Sequence, residues 1–242
     1  MNILIPMAGL GSRFAKEGYV KPKPFIDVLG KPMIVRVLEN LAYKDANYFL
    51  IAQRQHLEQE KELVAQIQKD FNVKFIAIEK LTQGTACTAL YARKFINNST
   101  PLLIANSDQI IDINIALFIK DAFERKLDGS ILCFIDKEKN PKWSFVKVQD
   151  DLVVELKEKE VISDIATVGI YLYAQGSFFV NACVDMMIEQ DLVNGEFYTA
   201  PSYNYLIKEG KKIGIYNIDF NQMHGIGTPQ DLKNYEALHA KF

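Results

Sequence analysis

Apolar positions in this chain follow two rhythms. Over the first 135 residues, short continuous apolar runs alternate with stretches in which apolar residues recur every three to four positions. The run Asn2-Ile-Leu-Ile-Pro6 predicts a buried strand, and further strands are predicted at 48–52, 73–78, 101–105 and 130–135. Helices are predicted between them at 33–41, 56–69, 84–96 and 115–126. Pro32 sits where the first turn of a helix accepts it. Leu57, Leu63, Val64 and Ile67 form the expected inner face of the second helix. Strand and helix in strict alternation imply a parallel sheet covered on both faces.

After residue 135 the rhythm changes. Residues 145–148 and 152–156 predict an antiparallel hairpin around Gln149-Asp150-Asp151. A strand follows at 167–173, then helices at 177–188 and 198–208, a strand at 212–216 and a closing helix at 229–239 with Thr228 as its N-cap. The expected fold class is therefore α/β: a Rossmann-like, mostly parallel central sheet flanked by helices, with a small antiparallel subregion. No linker, repeat or low-complexity tract divides the 242 residues, so one domain over 1–242 is expected, with halves at 1–135 and 136–242.

Composition narrows the class. At 49% hydrophobic residues the chain has enough apolar side chain for one large core. The formal net charge is -2, with both signs mixed and no long basic tract, which argues against a general nucleic-acid surface. Cys87, Cys133 and Cys183 are odd in number, widely separated and set in apolar stretches. Buried free thiols in a reducing compartment are expected, rather than a disulfide framework or zinc site. No signal peptide and no membrane span is read, so a cytoplasmic protein is expected. The overlapping sequons at Asn97-Asn98-Ser99-Thr100 then read as a polar turn.

The candidate chemistry begins at Met7-Ala8-Gly9-Leu10-Gly11-Ser12-Arg13, directly after the first strand. Glycines let the backbone come close to a ligand, and successive N–H groups in such a turn form an anion-binding concavity. Arg13 adds a fork of donors matched to phosphate oxygens. Lys23, between Pro22 and Pro24, adds a point charge on a stiff turn. The dinucleotide pattern Gly-x-Gly-x-x-Gly fails because position 14 is Phe, and no Gly-Lys-Ser/Thr follows, which excludes the Walker pattern. Gln83-Gly84-Thr85 precedes a helix, and the Gln83 amide can both donate and accept. Asp108 lies just past a hydrophobic strand, at the carboxyl edge where α/β proteins bind ligands.

Gly9, Gly11, Arg13, Pro22-Lys23 and Gly30-Lys31-Pro32, in that order, resemble the signature of the sugar nucleotidyltransferases, the nucleoside-diphospho-sugar pyrophosphorylases. The similarity extends through most of the chain to Gly227-Thr228-Pro229. It implies the nucleotidyltransferase variant of the α/β fold, with the antiparallel subregion on the acceptor side. The implied activity is transfer of a nucleotidyl group from an NTP to a phosphorylated small molecule, with release of pyrophosphate. It places Arg13 and Lys23 on the phosphates as catalytic residues. Met7, Ala8, Gly9, Gly11, Ser12, Gln83, Gly84 and Thr85 complete the nucleotide site, and Asp108 becomes a Mg²⁺ ligand.

On the acceptor side the family pattern falls on Ser144, Glu158, Lys159 and Gly169. Ser144 stands where glycine is usual, and Glu160 where proline is usual. Near the end Gly225 stands where the family often carries a second metal-binding aspartate. Either one carboxylate suffices, or Asp219, Asn221 or His224 substitutes. Members of the family often self-associate. Three functions fit: a sugar-1-phosphate nucleotidyltransferase, a cytidylyltransferase for a choline-, polyol- or amino-alcohol-type phosphate, and a non-catalytic nucleotide-binding regulator.

Overall fold

The computed structural model describes residues 1–239; Ala240, Lys241 and Phe242, the end of the expected domain, lie outside them. Strand β1 (Asn2–Pro6) feeds α1 (Ser12–Lys16). A short hairpin of β2 (Asp27–Val28) and β3 (Lys31–Pro32) turns on Leu29 and Gly30 at positive φ and leads into α2 (Met33–Asn40). Then follow β4 (Asn47–Gln53), α3 (Arg54–Gln59), α4 (Lys61–Asp70), β5 (Val73–Ile78), α5 (Thr85–Ala89) and α6 (Arg93–Ile96). Next come β6 (Leu102–Ala105), β7 (Gln109–Ile111), α7 (Ile115–Glu124) and β8 (Gly129–Ile135). The second half contains β9 (Ser144–Gln149), β10 (Leu152–Glu158), β11 (Ile165–Tyr173), α8 (Gly176–Ile188), α9 (Ser202–Lys208), β12 (Ile213–Ile218), β13 (Met223–Gly225) and α10 (Pro229–His239).

A nine-stranded sheet runs β10-β9-β11-β6-β1-β4-β5, and β8 joins it between β11 and β12. Strands β6, β1, β4 and β5 are parallel, with Leu4 opposite Ile104 and Ile5 opposite Leu50. β11 runs antiparallel to both β6 and β8, so a strand from the second half is built into the centre of the sheet. The apolar run of β1 is continuous because both faces are covered. Ile3 and Ile5 join Leu50 and Leu103 in one core, while Leu4 joins Ile51 and Ile104 in the other.

Three helical expectations change. The helix at 56–69 breaks at Glu60, which leaves helical geometry at φ -110 and ψ 33. The helix at 84–96 is interrupted by a 3-10 turn at Leu90–Ala92. Ala86, Ala89 and Ala92 are fully buried at three-residue intervals, a spacing that three residues per turn keeps on one side. The helix expected at 198–208 starts only at Ser202, after Pro201, which leaves Tyr198 and Thr199 in an open segment. Cys133 and Cys183 are buried and free, but Cys87 is only half-buried, because the start of α5 faces the surface. No described helix is long and apolar enough to cross a membrane.

Candidate active site

The carboxyl ends of β1 and β6 open onto a cavity of about 450 Å³. Its wall includes Met7, Gly9, Gly11, Ser12 and Arg13 from the first turn, Lys23 from the second, Thr85, and Asn106, Ser107 and Asp108. Gly11 has φ +61, and a Cβ there would lie 2.9 Å from the Lys23 Cβ, so its bareness lets the two turns pack together. At Gly9 a Cβ would meet nothing within 4 Å; its surface faces open space. Arg13 is exposed in the wall. The Lys23 ammonium is ion-paired to Asp108 Oδ2, with side chains 20% and 23% exposed. Gly227 leans on this pair: a Cβ there would come within 2.5 Å of Asp108 Oδ2.

A second cavity, about 300 Å³, shares Pro6, Gly9 and Thr85 with the first and adds Ala8, Gly84 and Thr88. Two exposed apolar side chains, Leu10 and Leu81, border it and suit a flat ring. Gly84 lines this cavity, but its missing Cβ serves the chain itself. Its φ is +114, and a side chain would overlap the backbone N and O of Phe197. Phe197 N–H donates to Gln83 O at 2.8 Å, and Ala86 N–H donates to Phe197 O at 3.0 Å. The Gln83 amide donates to Gly195 O at 3.2 Å, beside the cavity rather than in its wall.

A third cavity, about 250 Å³, shares Thr85 and Asn106 with the first. Ser144, Glu158 and Gly169 line it, as do Lys142, Tyr198 and Thr199. The Ser144 hydroxyl donates to Glu158 Oε2. Lys159 stands one layer back, its ammonium bonded to the Tyr198 hydroxyl. It holds a left-handed φ of +56, and its N–H donates to Trp143 O at 3.1 Å. Tyr198 and Thr199 were hidden from the sequence by the helix expected there. Asn106 was visible as the first residue past the strand, two before Asp108.

Burial pushes the Glu158 carboxyl above the usual carboxylate range; the Ser144 hydroxyl and Lys159 pull the other way, and Glu196 adds to the rise. The native state thus holds this proton more tightly than the unfolded chain. The stabilisation it brings is present below the ordinary pKa of 4.5 and is lost as pH rises through the higher folded value. Glu158→Gln is therefore expected to raise the melting temperature at pH 7 and to leave it nearly unchanged at or below the ordinary pKa. Thermal scans at both pH values check this, and an equal shift at both would remove the assignment.

The family model for Nucleotidyl transferase matches residues 3–232. The chain belongs to the nucleotidyl transferase family. It is similar to the bifunctional protein GlmU of Methanocaldococcus jannaschii, 26% identical over 96% of this chain and 52% of that protein. It is also similar to a mannose-1-phosphate guanyltransferase of Pichia angusta, 26% identical over 99% of this chain and 64% of that one. The chain thus spans between half and two thirds of the length of these relatives. Among solved structures, a nucleoside-diphosphate-sugar pyrophosphorylase from Vibrio cholerae superposes with a TM-score of 0.81 at 25% identity, over 96% of this chain and 98% of that one.

None of the three substitutes named for the second metal-binding aspartate, Asp219, Asn221 and His224, is among the residues lining the three cavities. The Asp219 side chain caps the 3-10 turn Phe220–Gln222. His224 Nε2 bonds Asp112 Oδ2 at 2.7 Å, and its ring packs against Tyr235 and His239. Side chains alternate along a strand, so His224 and Gly225 of β13 point to opposite faces. Asn221 lies within the same capped turn. Among the described residues no group of three or more His, Cys, Asp or Glu is gathered for a metal. At Gly225 a Cβ would meet nothing within 4 Å, and its neighbour Ile226 N–H donates to Asp108 O at 2.9 Å.

Proposed function

We propose that the protein transfers a nucleotidyl group from an NTP to a phosphorylated small molecule, a sugar 1-phosphate in the first instance, and releases pyrophosphate. The observation that supports this reading is a row of three cavities with shared walls, with Lys23, Arg13 and Asp108 lining the middle one; on this reading they take base, phosphates and acceptor. Its similarity to a mannose-1-phosphate guanyltransferase and a nucleoside-diphosphate-sugar pyrophosphorylase supports the same reading.

An acceptor phosphate oxygen attacks the α-phosphorus of the nucleotide. The new P–O bond forms as the bond to the β-bridging oxygen breaks, and pyrophosphate leaves with that electron pair. A phosphate monoester is already ionised near neutral pH, so no proton need be removed from it. The work of the protein is to neutralise two anions and align them. Arg13 holds the leaving phosphates, and Lys23 moves from Asp108 to the charge that builds on the reacting phosphoryl group.

Mg²⁺ fits the donor set: a hard cation commonly uses one or two carboxylates and takes its remaining ligands from substrate phosphates and water. Asp108 would hold it, and it would supply charge neutralisation at the phosphoryl oxygens. Asp108 is the one carboxylate among the described residues lining the middle cavity, so further oxygen ligands would come from the nucleotide phosphates and water. Gly225→Asp adds a carboxylate in open space, next in the chain to Ile226, whose N–H donates to Asp108 O. It is expected to lower the half-saturating Mg²⁺ concentration about tenfold, the scale of one added charge-assisted contact. Titration of turnover with Mg²⁺ checks this, and an unchanged midpoint would count against Asp108 as the ligand.

Ser144, engaged with Glu158, narrows the acceptor cavity where the family usually has glycine, which keeps the non-sugar phosphates in play. Pyrophosphate release from each NTP, with hexose 1-phosphates and choline-, polyol- and amino-alcohol-type phosphates, separates these readings. No release with any pair would leave only a nucleotide-binding regulator. The unpaired thiols suit a reducing, cytoplasmic setting, and the halves 1–135 and 136–242 act as one unit across β11.

A further inference from the structure

Asn106 stands out by its place: among the described residues only it and Thr85 line both the phosphate cavity and the acceptor cavity. It is the first residue beyond β6, and it is exposed. The other residue shared by those two cavities, Thr85, already has its hydroxyl engaged by Thr199 N–H and Thr199 Oγ1, each at 3.2 Å. Among the described residues no protein group hydrogen-bonds the Asn106 carboxamide. Its backbone is anchored, since Asn106 N–H donates to Gly169 O at 3.1 Å.

Gly169 explains where that carboxamide lies. The pairing of β11 with β8 shifts register between Thr167 and Tyr171, so the strand bulges here. Gly169 takes φ +93, and a Cβ on it would overlap Asn106 Nδ2. The amide therefore sits over the one place on β11 that carries no side chain, facing the junction between the two cavities.

We infer that Asn106 contacts the acceptor phosphate at this junction and holds its attacking oxygen in line with the α-phosphorus, with Gly169 as the positioning residue that seats it. This rests on the nucleotidyl-transfer reading above. The chemistry suits the place. Two anions must meet here, and a carboxamide offers two N–H donors without a charge. It can bind phosphate without competing with Lys23 for Asp108.

The test is steady-state kinetics with the substrate pair that supports turnover, together with calorimetric NTP binding. Asn106→Ala is expected to lower kcat about 10- to 100-fold, a loss of alignment by a neutral donor, while the Kd for NTP stays within about threefold. Asn106→Asp should be slower still, because it keeps the shape but sets a negative charge against two phosphates. Gly169→Ala should lower kcat like Asn106→Ala, and the double variant should be no slower than the slower single one. Losses that multiply in the double variant, or a kcat for Asn106→Ala within about threefold of the parent, would overturn the inference. If Gly169→Ala does not fold, the ranking of Asn106→Asp below Asn106→Ala decides it. Failure of the underlying reading has a different signature: the unmodified protein itself releases no pyrophosphate, and this inference falls with it.

Discussion

Replacing Lys23 by alanine is expected to lower turnover by about 10²-fold or more, the scale of losing one preorganised charge-stabilising donor. Lys23 is the only side-chain cation paired to Asp108 among the described residues, and the pair lies between the glycine turn and the end of β6. With phosphates present, the ammonium has a stronger partner than Asp108, because more negative charge gathers on the reacting phosphoryl group. Alanine removes that counter-charge at the moment it is needed. Stability should change by only about 1 kcal/mol, since the pair, although its side chains are 20% and 23% exposed, borders the cavity and water can replace the ammonium beside Asp108. A melting temperature within about 3 °C of the parent is the control. Lys23→Arg should recover only part of the rate, because its bulkier planar head cannot sit where the Lys23 ammonium lies between Gly227 and Asp108. Near-normal turnover in Lys23→Ala would take the lysine out of the mechanism.

The sequence was most readable where structure depends on near neighbours. The apolar run of β1 announces burial on both faces, and the residues after it, Gly9 to Arg13, carry their chemistry on one turn. Lys23 and Asp108 could each be picked out from the strand or turn beside it, although their contact could not. What stayed hidden depends on partners far along the chain. β7 and β13 are three-residue strands more than a hundred positions apart, too short to show an alternation, yet their pairing sets Gly227 against Asp108. His224 looked available until Asp112 and the rings of α10 enclosed it. Gln83 looked free to read a base until the 195–197 segment came alongside. Tyr198 and Thr199 sit in apolar-periodic surroundings that read as helix, and only Pro201 hinted that the helix begins later.

That same 195–197 segment makes Gly84→Ala the strongest structural probe of the cavity proposed for the base. A residue with a side chain must first adopt φ +114 and ψ 174, a region that essentially only glycine occupies. It must also displace the Phe197 backbone, where no side-chain rotation can relieve the overlap. Either response breaks the bonds from Phe197 N–H to Gln83 O and from Ala86 N–H to Phe197 O. Strain and two weakened hydrogen bonds together should cost about 2–5 kcal/mol. For a chain of this size that is a fall in melting temperature of about 5–15 °C. NTP binding should weaken in parallel, because Thr85, Thr88 and Glu196 of the cavity wall move with the segment, while the acceptor KM should change less. The glycine is therefore expected to be required by the protein's own backbone before any base arrives. A variant that melts with the parent and still binds NTP poorly would reverse that order and show the ligand itself pressing against Gly84.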